Sequence, residues 1–324
     1  IDLRTEAGRD LALRMAEQVD VLVENFRPGS MDRFGLGYEQ VSARNPRIVY
    51  ASVSGFGQTG PYAHRPAYDV IVQAMSGLAS ITGLPGQPPV RVGSSTADLN
   101  AALFSVIGIL ACLARARETG NGEHVDVSML DCQVALLENA IARFDVEGVT
   151  PGPLGSRHPT ITPFQFFSTI DGYVVIAAGN DRLWKKLCDV LGRSDLAQDT
   201  RFTDNAGRTE HHAALEEELA ATFVAEPTAH WLQHLEAAGV PCGPVNDMAD
   251  VVVDLHLQER QMIRTQTEGD VDVRVPGPPL KFSSATTADI RPAPTLGEHT
   301  SDILAQWLGL DGAELSQLRE SGVI

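Results

Sequence analysis

Two short apolar runs separated by one helical stretch constrain this chain more than any other feature. Val19-Asp20-Val21-Leu22-Val23 and Arg47-Ile48-Val49-Tyr50-Ala51-Ser52-Val53 both read as buried strands, and Tyr38 to Arg44 between them makes one brief helix. Strand, helix, strand, with the strands apolar on both faces, is the pattern of a parallel sheet covered on each side, and so of an α/β fold. A helix over 5–18 precedes the unit. Beyond it the spacing predicts a helix over 69–80, a long apolar helix from Asp98 to Glu118, a third strand over 124–128 and a further helix over 131–144. A chain of 324 residues is too long for one small core. The boundary is expected in the Pro- and Gly-rich stretch 148–163. Residues 1–148 then form a large α/β domain. Residues 149–248 form a smaller α+β domain that opens with paired strands at Phe164–Phe167 and Tyr173–Ala177 and continues with helices over 183–191 and 211–223. Residues 249–324 read as connecting structure that returns to the large domain, with a last helix over 299–308.

Composition narrows the partners. Lys and Arg number 25 against 42 Asp and Glu, a formal charge of −17. No basic field exists to recruit nucleic acid or an anionic membrane, so a phosphate-bearing ligand needs a local pocket of N–H groups and a few arginines. Four cysteines (Cys112, Cys132, Cys188, Cys242) follow no metal spacing and read as reduced thiols of a cytoplasmic protein; no metal site is expected. The longest apolar stretch, Leu99 to Leu113, contains Asn100 and Ser105 and is shorter than the roughly 18 residues a spanning helix needs, so no membrane partner is expected. No signal peptide is visible, and a start at Ile1 without Met reads as a missing N-terminal segment.

Several motifs carry chemistry beside a plainer reading. Gly55-Phe56-Gly57-Gln58-Thr59-Gly60 matches GxGxxG after a strand, but Pro61 and Pro66 follow where a dinucleotide site needs a helix N-terminus. A loop at the carboxyl end of a parallel strand is still where such sheets bind ligands. Asp98, at the start of the long helix, is either an N-cap worth about 1 kcal/mol or a fixed carboxylate able to act as a covalent nucleophile. Glu24-Asn25-Phe26-Arg27-Pro28-Gly29 is either a turn with a packed Phe or a place to bond a pantetheine chain, stack an adenine and pair a phosphate. Arg33 and Arg65 add charge nearby or are solvated surface groups. Asp131 reads as a helix start, Cys132 as core, and His158 as an exposed loop histidine or a ligand contact.

Ordered blocks along the whole chain carry a resemblance. They include Val23-Glu24-Asn25-Phe26-Arg27-Pro28-Gly29, Gly35-Leu36-Gly37-Tyr38, Gly55-Phe56-Gly57-Gln58-Thr59-Gly60-Pro61, Val125-Asp126-Val127-Ser128-Met129-Leu130-Asp131, Gly239-Val240-Pro241-Cys242-Gly243-Pro244-Val245 and Leu296-Gly297-Glu298-His299-Thr300. With them the chain resembles the class III (CaiB/BaiF-type) CoA-transferases, nearest in motifs to the succinyl-CoA–dicarboxylate branch. The same fold houses the α-methylacyl-CoA racemases. The resemblance implies a Rossmann-like large domain whose first strand–helix unit precedes Ile1, a smaller α+β domain, and an interlocked homodimer. It implies CoA and acyl-CoA as substrates together with a small carboxylic acid, and no permanently bound cofactor. Residue by residue, it puts the catalytic aspartate on Asp98, CoA contacts on Asn25 and Phe26 and the active-site tyrosine on Tyr68, counted with the CoA pocket; Arg33 joins that pocket as a candidate by its charge alone. From the residues themselves, Arg91 and Arg157 are candidates for a far carboxylate, and Gly155 and His158 for substrate contact; 155–159 stands where some members carry a glycine-rich covering loop but is not itself glycine-rich. The racemases place a histidine where this chain has Tyr68 and a glutamate where it has Asn180, so transfer is the expected reaction. Racemisation, or CoA binding without catalysis, are the alternatives.

Overall fold

The computed structural model describes residues 1–269, 271–284 and 291–324. The chain divides into two compact units, one of Ile1–Pro153 with Pro294–Ile324 and one of Leu154–Ala293. The return to the first unit thus comes at 294, later than the 249 expected. The reason is local: the stretch after 249 makes short helices (Met248–Val253, Leu255–Glu259) and a hairpin rather than bare connecting chain.

In the first unit, helix α1 (Glu6–Ala16) starts where Thr5 Oγ1 accepts from Gly8 N. Strand β1 (Val21–Glu24), helix α2 (Tyr38–Arg44) and strand β2 (Val49–Ser54) follow, then α3 (Asp69–Met75), α4 (Thr96–Thr119) and strand β3 (Glu123–Ser128). The strands form a parallel sheet in the order β1-β2-β3, with Val21 opposite Val49 and Ala51 opposite Val125. This mixed α/β architecture was the expected class. Alternation along the strands separates two faces. Val53, Val125 and Val127 face α3 and α4, in a core with Val72, Ala97 and Ala101. The opposite face is buried but not uniformly apolar. Tyr50 packs with Ala16, Val41 and Ile48 and donates from its hydroxyl to Leu36 O at 2.9 Å, and Ser52 Oγ pairs with His124 Nε2 at 2.9 Å. Buried polar groups persist where such partners exist.

Two expected helices are each broken. The run over 69–80 stops at Met75 because Gly77 takes φ +94°, and a separate turn, Leu78–Ile81, follows. The run over 131–144 becomes α5 (Met129–Ala135) and α6 (Ala140–Glu147), with Glu138 at φ +45° between them. Helix α4 has 24 residues, longer than the apolar stretch that marked it, and ends at Gly120, φ +75°. By length and composition it could cross a membrane. That corrects the inference drawn from Leu99–Leu113 alone. Its place over β2 and β3 gives it an apolar role within an α/β layer, and much of its apolar surface (Leu99, Leu103, Ile107, Leu110) is exposed in the single chain.

The second unit opens with β4 (Phe164–Ser168) antiparallel to β5 (Tyr173–Ala177), as expected. A third strand, β6 (Cys242–Pro244), not expected from the sequence, adds to the other edge of β5. Helices α7 (Asp181–Leu191), α8 (Asn205–Glu210), α9 (His212–Phe223) and α10 (Thr228–Ala238) cover it. Phe167, Val174, Ile176, Trp184, Leu187, Leu219, Phe223 and Leu235 form its core. Strands β7 (Ile263–Glu268) and β8 (Val271–Pro276) pair as a hairpin. Back in the first unit, α11 (Thr300–Leu308) and α12 (Gly312–Glu320) pack on α1 through Leu304, Leu310, Leu315 and Leu11.

Candidate active site

The carboxyl ends of β1 and β2, the start of α5 and the first turn of α4 surround a cavity of about 270 Å³. Asn25, Phe26, Arg27, Pro28, Ser54, Gly55, Arg65, Pro66, Ala67, Tyr68, Asp98 and Met129 line it. A parallel sheet opens at this edge because strand ends diverge there into loops. Asn25 is locked by its Nδ2 donating to Val53 O at 2.6 Å, and the turn after it is held by Phe26 N donating to Glu24 Oε2 at 2.8 Å. Phe26 is left half-exposed, a free aromatic face beside the arginines. Arg65 lies 4.1 Å over the Tyr62 ring, which keeps its guanidinium extended. Tyr68 is 77% exposed at the N-cap of α3. A second, apolar hollow runs along α4 from the same point, sharing Asn25, Asp98 and Met129.

Asp98 is not the cap of its helix. Helix α4 begins at Thr96, two residues earlier, so Asp98 sits within the first turn, and its carboxylate makes no hydrogen bond among the described residues. Partial desolvation in the cavity wall holds this carboxyl above the usual carboxylate range, and the charge of Asp69 pushes it the same way. That direction is opposite to what a helix N-terminus alone would impose. An available, relatively basic carboxylate is suited to adding to an acyl carbon.

The expected contacts divide. Asn25, Phe26, Tyr68 and Asp98 come together on one cavity. Arg33 does not join them: its Nη2 donates to Ser30 Oγ at 2.9 Å, and Arg27 and Arg65 supply the positive charge instead. Arg91 stands beside α3, its Nη1 3.8 Å from Asp69 Oδ2. Gly155, Arg157 and His158 belong to the second unit. There Gly155 takes φ +67°, Arg157 N donates to Leu154 O at 3.3 Å, and His158 Nδ1 accepts from Thr160 N at 3.2 Å with its ring 5.4 Å from Phe164. Ser54 and Met129 were not singled out from sequence, although Ser54 ends β2 and Met129 directly follows β3, the one signal that could have found them. In the GxGxxG loop, Gly57 and Gly60 take positive φ, and irregular chain separates them from the next helix, α3. The pyrophosphate-binding helix N-terminus of a dinucleotide site is therefore missing from this loop. Asn180 caps α7, accepting from Leu183 N at 3.0 Å. Ser128, not Asp131, caps α5. Cys132 is buried and its thiol is pushed up by that burial and by Asp131, so it remains a thiol rather than a nucleophile.

A sequence profile described as CoA-transferase family III matches residues 1–300. The chain belongs to this family. It is 45% identical over 300 residues to an acetyl-CoA:oxalate CoA-transferase of Acetobacter aceti, covering 92% of this chain and 76% of that protein. It is 34% identical over 325 residues to the succinyl-CoA:glutarate CoA-transferase of Homo sapiens, covering 100% and 74%. Among solved structures, a CAIB/BAIF family protein from Brucella suis superposes with a TM-score of 0.82 at 38% identity, covering 94% of this chain and 80% of that one. The protein is a CoA-transferase, acting on acyl-CoA and a carboxylic acid.

Proposed function

We propose that this CoA-transferase moves CoA from succinyl-CoA, or a similar donor, to a small carboxylic acid, with Asp98 as the covalent nucleophile. The observation that carries the reading is the free Asp98 carboxylate in a cavity it shares with Asn25, Phe26, Arg27, Arg65 and Tyr68. An Asp98 oxygen adds to the thioester carbonyl carbon, the C–S bond breaks, and a mixed anhydride and CoA thiolate result. The thiolate then attacks the Asp98 acyl carbon, releasing the donor carboxylate and leaving an aspartyl-CoA thioester. The acceptor carboxylate displaces the thiolate to form a second anhydride, and the thiolate attacks its acceptor carbonyl. That last step frees Asp98 and the new acyl-CoA. Covalent catalysis divides one difficult exchange into four easier ones.

The cavity's groups suit this substrate: Asn25 and Phe26 for the pantetheine amides and adenine, Arg27 and Arg65 for phosphate. The oxyanions of the tetrahedral states need N–H donors, which the small residues Gly93, Ser94 and Ser95 leave approachable. Arg91 or, on the second unit, Arg157 is proposed to bind a far carboxylate of the acyl group, and Gly155 and His158 remain candidate substrate contacts. The dicarboxylates named for the relatives favour an arginine for a far carboxylate. A cytoplasmic homodimer is part of the reading. Four free cysteines support the compartment, and the exposed apolar side of α4 supports cover by a second copy; light scattering at twice the chain mass checks it. The deciding experiment is Asp98→Ala. It abolishes transfer and the hydroxylamine-sensitive adduct while the protein stays folded and binds CoA; substantial residual turnover rejects Asp98.

A further inference from the structure

Helix α4 begins without a cap of its own. Ser95, at its N-cap, accepts no hydrogen bond through its side chain. One first-turn N–H is instead taken by a residue 28 positions earlier: Ala97 N donates to Asp69 Oδ1 at 2.9 Å. The other carboxylate oxygen accepts from Gln73 Nε2 at 2.8 Å, one turn along α3. Gln73 is fully buried and uses its remaining capacity on the loop that enters α4. Its Nε2 also donates to Ser94 O at 3.2 Å, and its Oε1 accepts from Val92 N at 2.9 Å. Three points of the chain leading to Asp98 are thus tied to two side chains of α3.

We infer that Asp69, backed by Gln73, is a positioning residue for the acyl transfer: it holds the first turn of α4 and leaves the Asp98 carboxylate unspent on the cavity. The reason lies in what a helix start demands. Its leading N–H groups must find acceptors, and an acid at the third helical position, which is where Asp98 stands, can fold back to serve them. With Asp69 already serving Ala97 N from outside the helix, Asp98 has less to gain by turning inward. The acid is buried, so its two bonds are charge-assisted and shielded from competing water. Around the pair, the charged and titratable groups are Arg91 beside Asp69, Arg27, Arg65 and Tyr68 on the cavity, and Asp131 and Cys132 on α5.

The inference rests on Asp98 being the acylated group, so that is read first. Wild-type enzyme given succinyl-CoA is trapped with hydroxylamine and the modified residue mapped by mass spectrometry. A label elsewhere removes the assignment of Asp98, and this inference with it. With the label on Asp98, Asp69→Asn decides. An asparagine can accept from Ala97 N or from Gln73 Nε2 but not both, because its amide nitrogen then meets the other donor. The expected result is a kcat lower by about tenfold or more, KM for acyl-CoA within about twofold, and an acid limb of kcat moved to lower pH as the like charge beside Asp98 disappears. The limb follows the lost charge in either case, so the split between kcat and KM decides: a purely structural role would lower the melting temperature and leave kcat of the folded enzyme within about twofold of wild type. A folded Asp69→Asn enzyme with wild-type kcat overturns the inference. Should that variant not fold, Gln73→Met removes the bonds of Gln73 to Asp69, Ser94 and Val92 and keeps the Asp69 charge. kcat then falls by about tenfold with KM for acyl-CoA kept and the limb in place, and a folded Gln73→Met enzyme with wild-type kcat overturns the inference equally.

Discussion

Gly55→Ala tests how tightly the site is built. Gly55 follows β2 directly and its φ is not positive, so alanine there meets no left-handed backbone strain and by itself would gain about 0.4–1 kcal/mol from the unfolded state. Packing reverses the sign. A methyl group on Gly55 would overlap the Ala67 Cβ, well inside contact distance, whereas the Ala67 Cα would lie at an ordinary 3.6 Å. Gly55 cannot yield easily, because it directly follows the last β2–β3 pair, Ser54 with Ser128, and its carbonyl accepts from Leu130 N at 3.1 Å. The 65–68 segment must therefore move, on the order of 1 Å, to restore a normal carbon–carbon separation. Overpacking of this kind costs about 1–3 kcal/mol. The functional cost is larger in proportion. Ala67 is followed by Tyr68 on the cavity and by Asp69 under the Asp98 turn, and a shift of that size costs about a hundredfold in rate. Thermal unfolding and kcat measure the two effects. Ala67→Gly added to Gly55→Ala removes the overlapping atom and restores both, with a coupling energy of about 1 kcal/mol or more. Wild-type kcat and melting temperature in Gly55→Ala, or no rescue by Ala67→Gly, would refute the reasoning.

Two further outcomes are expected. Arg208 is fully buried in the second unit, donating to Thr162 O at 2.8 Å, Phe202 O at 3.1 Å and Asp181 Oδ1 at 2.9 Å. Arg208→Met leaves two carbonyls without their donor and should cost about 3–5 kcal/mol in denaturant unfolding, with little from the exposed Asp181; a loss under about 1 kcal/mol would contradict it. In wild-type enzyme, formation of the Asp98 adduct should fail as pH falls through a value above the usual 3.8 of an aspartate, because its carboxyl is raised by desolvation and by Asp69. The same raised carboxyl favours the folded state at low pH, and that contribution is lost as pH rises through its folded-state value. A rate unchanged down to pH values below 3.8 contradicts the assignment.

Local pattern alone made the parallel sheet legible. The apolar runs at β1 and β2 on either side of a helix gave the parallel pair, although Val23 of β1 stays exposed, and the loops after them mark the ligand edge. That Asn25, Phe26 and Asp98 line a cavity at this edge was readable on the same basis, since each sits at or just beyond an element end. Elements that depend on distant neighbours were not readable. Strand β6 is three residues whose only reason to be extended is the free edge of β5, and the breaks at Gly77 and Glu138 sit inside otherwise continuous helical patterns. Which arginine meets the cavity was likewise decided in space: Arg33 is taken by Ser30 while Arg27 and Arg65 line the wall.

The role of Asp98 shows the division most sharply. Residue order put an acid near the start of an apolar helix, where capping is the usual employment of such a side chain. Only the folded chain brings Asp69 and Gln73 of α3 against that turn, and the bond from Ala97 N to Asp69 leaves Asp98 outside the cap. Periodicity along a chain encodes which faces are apolar, so it determines elements and layers. Which hydrogen-bond acceptor serves which donor depends on groups 28 residues apart meeting within 3 Å, and no local pattern records that meeting.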